Sequence, residues 1–406
     1  MPSPWLALEE ALQQALDATS AVNTTQTVSI FEGLGRITSS DVVATIPVPP
    51  WDNSAMDGYA FNADDLNTTK TLPIQGTLTA GMSADEALKP GYAFKIMTGA
   101  PVPEGADTVE MIENTDGGDD QVTFLSSPKA GANIRVKEND IAVGQVLVPA
   151  NTRLQPEHLM LLSSQGMCEV QVFRKVKVGI VATGDELATP GEQKLASQIY
   201  ESNRIGVASL IAKLGVEVVD FGIVIDNKQA LADLFSRAQQ DVDIMISSGG
   251  VSVGEADFVK DILENLGKID FWKIAIKPGK PFALGKIGNT VFCGLPGNPV
   301  SSFVTTQLLV LPVIRKKQGE SQHAGPLTVN ATLTRDVKRR AGRRDFQRAI
   351  ISRSDTGELL VTPHKNQSSG VMTSITQSNS FMVLHESVAS INQGEQVPVI
   401  PFNLTL

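Results

Sequence analysis

The sequence predicts an α/β plus β protein: a central, doubly wound parallel α/β domain, a β-rich domain inserted on a helical base, and a C-terminal β-barrel. Three observations predict it. From Val176 to about Gly325, near-continuous apolar runs alternate with stretches of helical periodicity, the pattern of buried parallel strands and their crossover helices. After Gly325 the helical stretches vanish and short strand-like runs return, which reads as a small barrel. With 406 residues the chain exceeds one ordinary core and divides into roughly two to four domains.

In chain order, Leu8, Leu12, Ala15 and Leu16 recur at helical spacing and predict an amphipathic helix. Glu9 and Glu10 interrupt its apolar run and no basic segment precedes it, so it does not read as a signal peptide. Residues 25–140 are rich in Gly, Pro, Asp and Thr, with β-like runs at 72–75, 92–97, 108–112 and 122–125 and turn signals between them. Helical periodicity returns over 150–166 through Leu159 and Leu162, with Gly166 as the stop. This second helix is expected to pack on the first. Residues 1–24 and 141–175, with part of 43–50, would then form a helical base carrying the insert 25–140. The α/β domain occupies 176–325, with helices expected from about Asn203, Lys228, Glu255 and Pro299. The barrel occupies 326–406, with strand-like runs at 327–333, 346–351, 359–361, 381–384 and 397–400.

The composition excludes several classes of function. A net charge of −10 argues against a nucleic-acid partner, which requires a basic surface. No run approaches the roughly 18 apolar residues of a membrane span. His158, His323, His364 and His385 show no metal-ligand spacing, so a zinc or copper site of the usual nitrogen and sulfur kind is not expected. Cys168 and Cys293 are far apart and flanked by apolar residues, and are expected to be buried, reduced thiols of a cytoplasmic protein. Chemistry therefore rests on Asp, Glu, Lys, Arg, Ser and the backbone.

Ligands of open α/β sheets bind at the carboxyl ends of the strands, and five predicted strand ends carry distinctive residues. These are Gly184-Asp185-Glu186, Asp226-Asn227, residues 247–257, residues 277–280 and residues 294–301. Gly249 and Gly250 let the backbone turn tightly and approach a ligand, and the helix start that follows favours an anion; a plain tight turn is the alternative. Asn298 and Pro299 suit the cap and first position of a helix, which explains those two residues alone but not Gly294, Gly297 and Ser301 beside them. Lys273, Lys277 and Lys280 cluster in an acidic protein and suit phosphate or another oxyanion, unless they are only a solvated edge. Glu186, Asp226 and Asp257 at neighbouring strand ends would repel unless a cation relieves them, which points to magnesium; each alone also reads as a cap or surface carboxylate. No dinucleotide fingerprint or P-loop is present.

The segments NSAMDGYA, MTGAPVPEGAD, TGDEL, SSGGVSVGEADF, AIKPGKPFALGK and GLPGNPVSS occur in that order, and through them nearly the whole chain resembles the bacterial MoeA-type molybdopterin molybdenumtransferases, relatives of the gephyrin E domain. The resemblance implies a four-part architecture and a homodimer. Its active site would lie between the α/β domain of one subunit and the β-rich domain of the other. The implied reaction inserts molybdate into adenylylated molybdopterin and releases AMP, with Mg2+ assisting. It further implies catalytic roles for Asp57, Thr98, Glu186, Asp226, Asp257, Lys273 and Lys277, with Glu186 and Asp257 as metal ligands. Gly249, Gly250, Ser252, Lys280, Pro296, Pro299, Ser301, Arg343 and Ser369 would bind the pterin and oxyanion. The implied partners are an adenylyltransferase and molybdoenzyme chaperones, with neither nucleic acid nor membrane. Two departures stand out: Glu138-Asn139-Asp140 where the family pattern has Gly-Glu-Asp, and Ser in Gln367-Ser368-Ser369 where Gly is usual. A molybdopterin adenylyltransferase or a non-catalytic pterin-binding scaffold are the alternatives.

Overall fold

The computed structural model describes residues 5–225, 227–249, 267–321 and 325–403. It divides into two compact units, one of residues 5–40, 150–156 and 169–403, the other of residues 41–149 and 157–168.

The first unit opens with α1 (Leu8–Asp17), whose Ala11, Ala15 and Leu16 are buried. The central sheet follows: β1 (Lys177–Thr183), α2 (Asn203–Ala212), β2 (Glu217–Val224), α3 (Lys228–Asp241), β3 (Ile244–Ser248), β4 (Gly267–Lys273), β5 (Pro281–Ile287) and β6 (Thr290–Leu295). The strand order is β2-β1-β3-β6-β5-β4. The first four are parallel, and β5 and β4 add an antiparallel edge. Strand alternation divides the apolar residues between the faces. Val178, Ile180, Ile244, Ile246, Val291 and Cys293 join Val207 and Ile211 of α2, whereas Val181, Met245 and Phe292 join Leu231, Leu234 and Phe235 of α3. Burial pushes the Cys293 thiol up to about 12, so it is an inert core residue. Cys168, expected to be buried, is exposed, because it follows the Gly166 turn rather than sitting inside an element.

Beyond β6, α4 (Pro299–Thr305) and α5 (Leu311–Gln318) are joined by one π-helical turn at Thr306–Val310. Pro312 has no N–H to complete the regular ladder, which accounts for the wider turn just before it. α1 packs on α5 and on this turn.

The five strand-like runs expected near the C-terminus are β7 (Val329–Leu333), β8 (Arg344–Arg353), β9 (Leu359–Pro363), β10 (Ser380–Leu384) and β11 (Gln396–Pro401). Pairings β8-β9-β7-β11-β10, with β10 back on β8, close them into a barrel. Its interior holds Leu333, Ala349, Ile351, Val361, Met382, Val397 and Val399. A short strand, Ile276–Lys277, adds to this barrel alongside Arg344 and Asp345.

In the second unit five strands lie in the order Thr108–Met111, Gly58–Phe61, Ala93–Ile96, Thr71–Leu78 and Gln121–Thr123. Alternation again gives two cores, Tyr59, Phe61, Leu72, Val122 and Phe124 on one face and Ala60, Leu78, Phe94, Ile96 and Val109 on the other. Helix Pro156–Ser164 belongs to this unit from Glu157 onward. Among the described residues no helix is long and apolar enough to cross a membrane.

Candidate functional site

Sheet topology selects the site. From β1 the chain moves outward to β2, then returns to β3 on the other side of β1, so the carboxyl ends of β1 and β3 flank the switch point. A cavity of about 1120 Å³ lies there. Its lining includes Thr183, Gly184 and Glu186 after β1, Ser248 and Gly249 after β3, and residues 296–299 with Ser301 after β6. The same lining includes residues 277–281, Arg343 and residues 367–369 of the C-terminal region. Structure therefore unites Glu186, Gly249, Lys277, Lys280, Pro296, Pro299, Ser301, Arg343 and Ser369 of the residues selected from sequence. Lys273 is exposed and is not in this lining. Asp226, Gly250, Ser252 and Asp257 lie outside the described residues.

The walls have specific causes. Gly249 has φ +95°, and a Cβ there would stand 2.7 Å from the Thr183 carbonyl oxygen, so only glycine lets the ends of β1 and β3 approach. Gly279 has φ +108°, and its Cβ would meet Thr305 Oγ1 at 2.7 Å. The Glu186 carboxylate lies back over Gly184, with Oε2 2.6 Å from where a Cβ would be. Pro299 occupies the start of α4 as expected, but Asn298 caps that helix through its backbone, its carbonyl accepting from the Ser302 N–H at 2.9 Å. Asn227, by contrast, caps α3 with its side chain, accepting from the N–H groups of Gln229 and Ala230.

Electrostatically the cavity has two sides. Lys277 Nζ stands 3.7 Å from the buried Asp345 carboxylate, which also accepts from Gln347 Nε2 at 3.0 Å. Lys280 and Arg343 lie on the same wall, and Glu186 faces the cavity from the β1 side. Such a site suits a ligand with negative oxygens held by cations, with a carboxylate left to engage a metal or a proton. Among the described residues no group of three or more His, Cys, Asp or Glu side chains is placed to hold a metal. Glu186 alone fits the less demanding case of magnesium, which keeps several waters and takes one or two carboxylates together with substrate phosphates.

Residues 199–203 and 367–368 also line the cavity and were not selected from sequence. Asn203 Nδ2 donates to the Gly297 carbonyl at 2.7 Å, tying the start of α2 to the β6 loop. Behind residues 367–369 stands Arg348, fully buried, donating to Ser374 Oγ at 3.0 Å and to the carbonyls of Ser368 and Asn366. Burial pushes its guanidinium down to about 10. One arginine inside the apolar run 346–351 was the signal available for it.

Asp57 and Thr98 lie together in the second unit. Thr98 donates to Asp57 Oδ1 twice, from its backbone N–H at 2.6 Å and from Oγ1 at 2.8 Å. These bonds hold the Asp57 carboxyl below the usual carboxylate range. Gly58, next to Asp57, opens the strand Gly58–Phe61.

A switch-point cavity lined by cations and a carboxylate, in an α/β domain followed by a closed barrel and accompanied by a separate β-rich unit, defines a multidomain α/β protein with a site suited to an anionic ligand. Three family models match in succession: "MoeA N-terminal region (domain I and II)" over residues 6–166, "Probable molybdopterin binding domain" over 179–316 and "MoeA C-terminal region (domain IV)" over 330–402. The molybdopterin molybdenumtransferase of Haemophilus influenzae is 42% identical, covering 98% of this chain and 99% of its own. That of Nostoc is 36% identical, covering 93% and 88%. The crystal structure of the molybdopterin biosynthesis MoeA protein from Pyrococcus horikoshii superposes with a TM-score of 0.80 at 32% identity, covering 98% and 99%. The chain belongs to the MoeA family.

Proposed function

We propose that this protein inserts molybdate into adenylylated molybdopterin with release of AMP, completing the molybdenum cofactor. The observation that carries the reading is the switch-point cavity, where Lys277, Lys280, Arg343 and Ser301 share one site with Glu186. Molybdate is a tetrahedral dianion, and lysines, an arginine fork, a serine hydroxyl and helix N–H groups are the donors it requires. The cavity is also large enough for a nucleotide-bearing ligand rather than an oxyanion alone.

In this reading Lys277, held near Asp345, and Lys280 with Arg343 bind and orient the oxyanion and phosphate oxygens. Gly249 keeps the floor open for the pterin, Gly250 and Ser252 would also bind it, and Pro296, Pro299 and Ser369 shape the rim. Glu186 or Asp257 would hold Mg2+, and the chemistry it would supply there is polarisation of the phosphoanhydride. Asp226 and Lys273 would take part as further charged groups of the reaction, a role that substitution of each tests. Asp57 and Thr98 would serve the cavity of a partner subunit in a homodimer, which gives their hydrogen-bonded pair a chemical purpose. A division into 1–24 with 141–175 and part of 43–50, 25–140, 176–325 and 326–406 accompanies this reading. A cytoplasmic setting, with an adenylyltransferase and molybdoenzyme chaperones as partners, is in keeping with two unpaired cysteines.

AMP release from adenylylated molybdopterin, followed with and without molybdate and magnesium, tests it. Release requiring both ions is expected. Tight pterin binding without AMP release would favour a scaffold, and pterin adenylylation at the expense of ATP would favour an adenylyltransferase.

A further inference from the structure

Two cations of the cavity wall, Lys280 and Arg343, share a neighbour that is not in the cavity lining. Lys280 Nζ stands 4.8 Å from the centroid of the Trp5 ring, and Arg343 Cζ stands 5.4 Å from it. Both distances are within reach of the attraction between a cation and an aromatic face. Two positive side chains converging on one wall repel each other, and each has a long, rotamer-rich stem. A ring contacted by both offsets that repulsion and reduces the wandering of both.

The chain segment carrying Trp5 is fixed at neighbouring points. Leu6 forms a parallel β-bridge with Ile274: its N–H donates to the Lys273 carbonyl at 2.9 Å, and its carbonyl accepts from the Ala275 N–H at 2.9 Å. One helical turn later, Glu9 of α1 pairs with Arg344, the residue after Arg343. Thus the segment is registered against the stretch leading to Lys277 and Lys280, and against the barrel strand beginning beside Arg343.

We propose that Trp5 is a positioning residue, its indole holding Lys280 and Arg343 in the arrangement that receives the oxyanion. The N-terminal segment is then part of the cavity's anion selectivity, although Trp5 itself lies outside the cavity lining. The inference rests on the molybdate-inserting reading for its ligand, but its geometry can be tested without that ligand.

Two measurements on Trp5→Ala and Trp5→Phe, made with the full-length protein, decide it. Acetylation of Lys280 by an amine reagent, followed on its peptide by mass spectrometry, needs no substrate. It should be faster in Trp5→Ala and return toward the wild-type rate in Trp5→Phe. In the AMP-release assay, KM for molybdate should rise about 5- to 30-fold in Trp5→Ala with a smaller change in kcat, and the phenylalanine should recover most of the loss. Equal acetylation rates in wild type and Trp5→Ala would overturn the proposal. So would an unchanged KM for molybdate, or a Trp5→Phe variant as defective as Trp5→Ala. If the wild type releases no AMP, the transferase reading fails while the acetylation rates still decide whether Trp5 holds Lys280.

Discussion

The Asp57 carboxylate accepts two hydrogen bonds from one threonine, and both favour its charged form. Its folded value is therefore depressed, so the stability it lends is present above the ordinary carboxylate value near 3.8 and is lost as pH falls through the lower folded value. Replacing Thr98 with valine removes the hydroxyl donor and keeps the backbone N–H. The Asp57 midpoint should rise toward the ordinary value without reaching it, read as the carboxyl carbon shift in an NMR titration; an unmoved midpoint would show that the hydroxyl contributes nothing. The resemblance pointed to Asp57 and Thr98 one by one, but their direct bond was not legible, because forty intervening residues hide which turns meet. Arg348 was hidden for a different reason. A charged side chain in an apolar run reads as outward-facing until the carbonyls of Asn366 and Ser368 appear behind the cavity rim.

Gly58 shows how one position governs an element. A Cβ there would stand 1.8 Å from the carbonyl oxygen of Glu110 on the adjacent strand, far inside contact distance. The edge strand must separate to admit it, beside a strand whose Tyr59, Ala60 and Phe61 are fully buried. Gly58→Ala should cost about 3 kcal/mol or more, measured by chemical denaturation, whereas a loss below 1 kcal/mol would mean that the strands part easily. Asp-Gly is a common turn pair, so the sequence does not by itself mark this glycine as the start of a strand. Elsewhere the elements were readable: the five barrel runs each became a strand of the barrel, because short apolar runs between turn signals have few other fates. The reversed direction of β5, which makes both of its pairings antiparallel, was not readable. Periodicity records which face a residue occupies and is silent on whether the neighbouring strand runs parallel or antiparallel.

At the scale of the whole molecule, Lys277 and Glu186 line the cavity of the first compact unit and Asp57 lies in the second, so the proposed function assigns Asp57 to the cavity of a partner subunit. If the second unit of each subunit serves its partner's cavity, every site combines two chains, and a closed twofold dimer contains two such sites. This arrangement makes a prediction that a site within one chain does not share. Asp57→Ala and Lys277→Ala should each abolish AMP release as pure proteins. When the two are denatured together and refolded, half of the dimers should be mixed. In each mixed dimer one site receives both substitutions and the other receives neither. Activity should therefore return to about a quarter of the wild-type level. A site built within one chain would stay silent in every mixture, because each subunit would carry its own defect into its own cavity. Sedimentation of the refolded mixture, checking that dimers form, separates that outcome from a failure to reassemble.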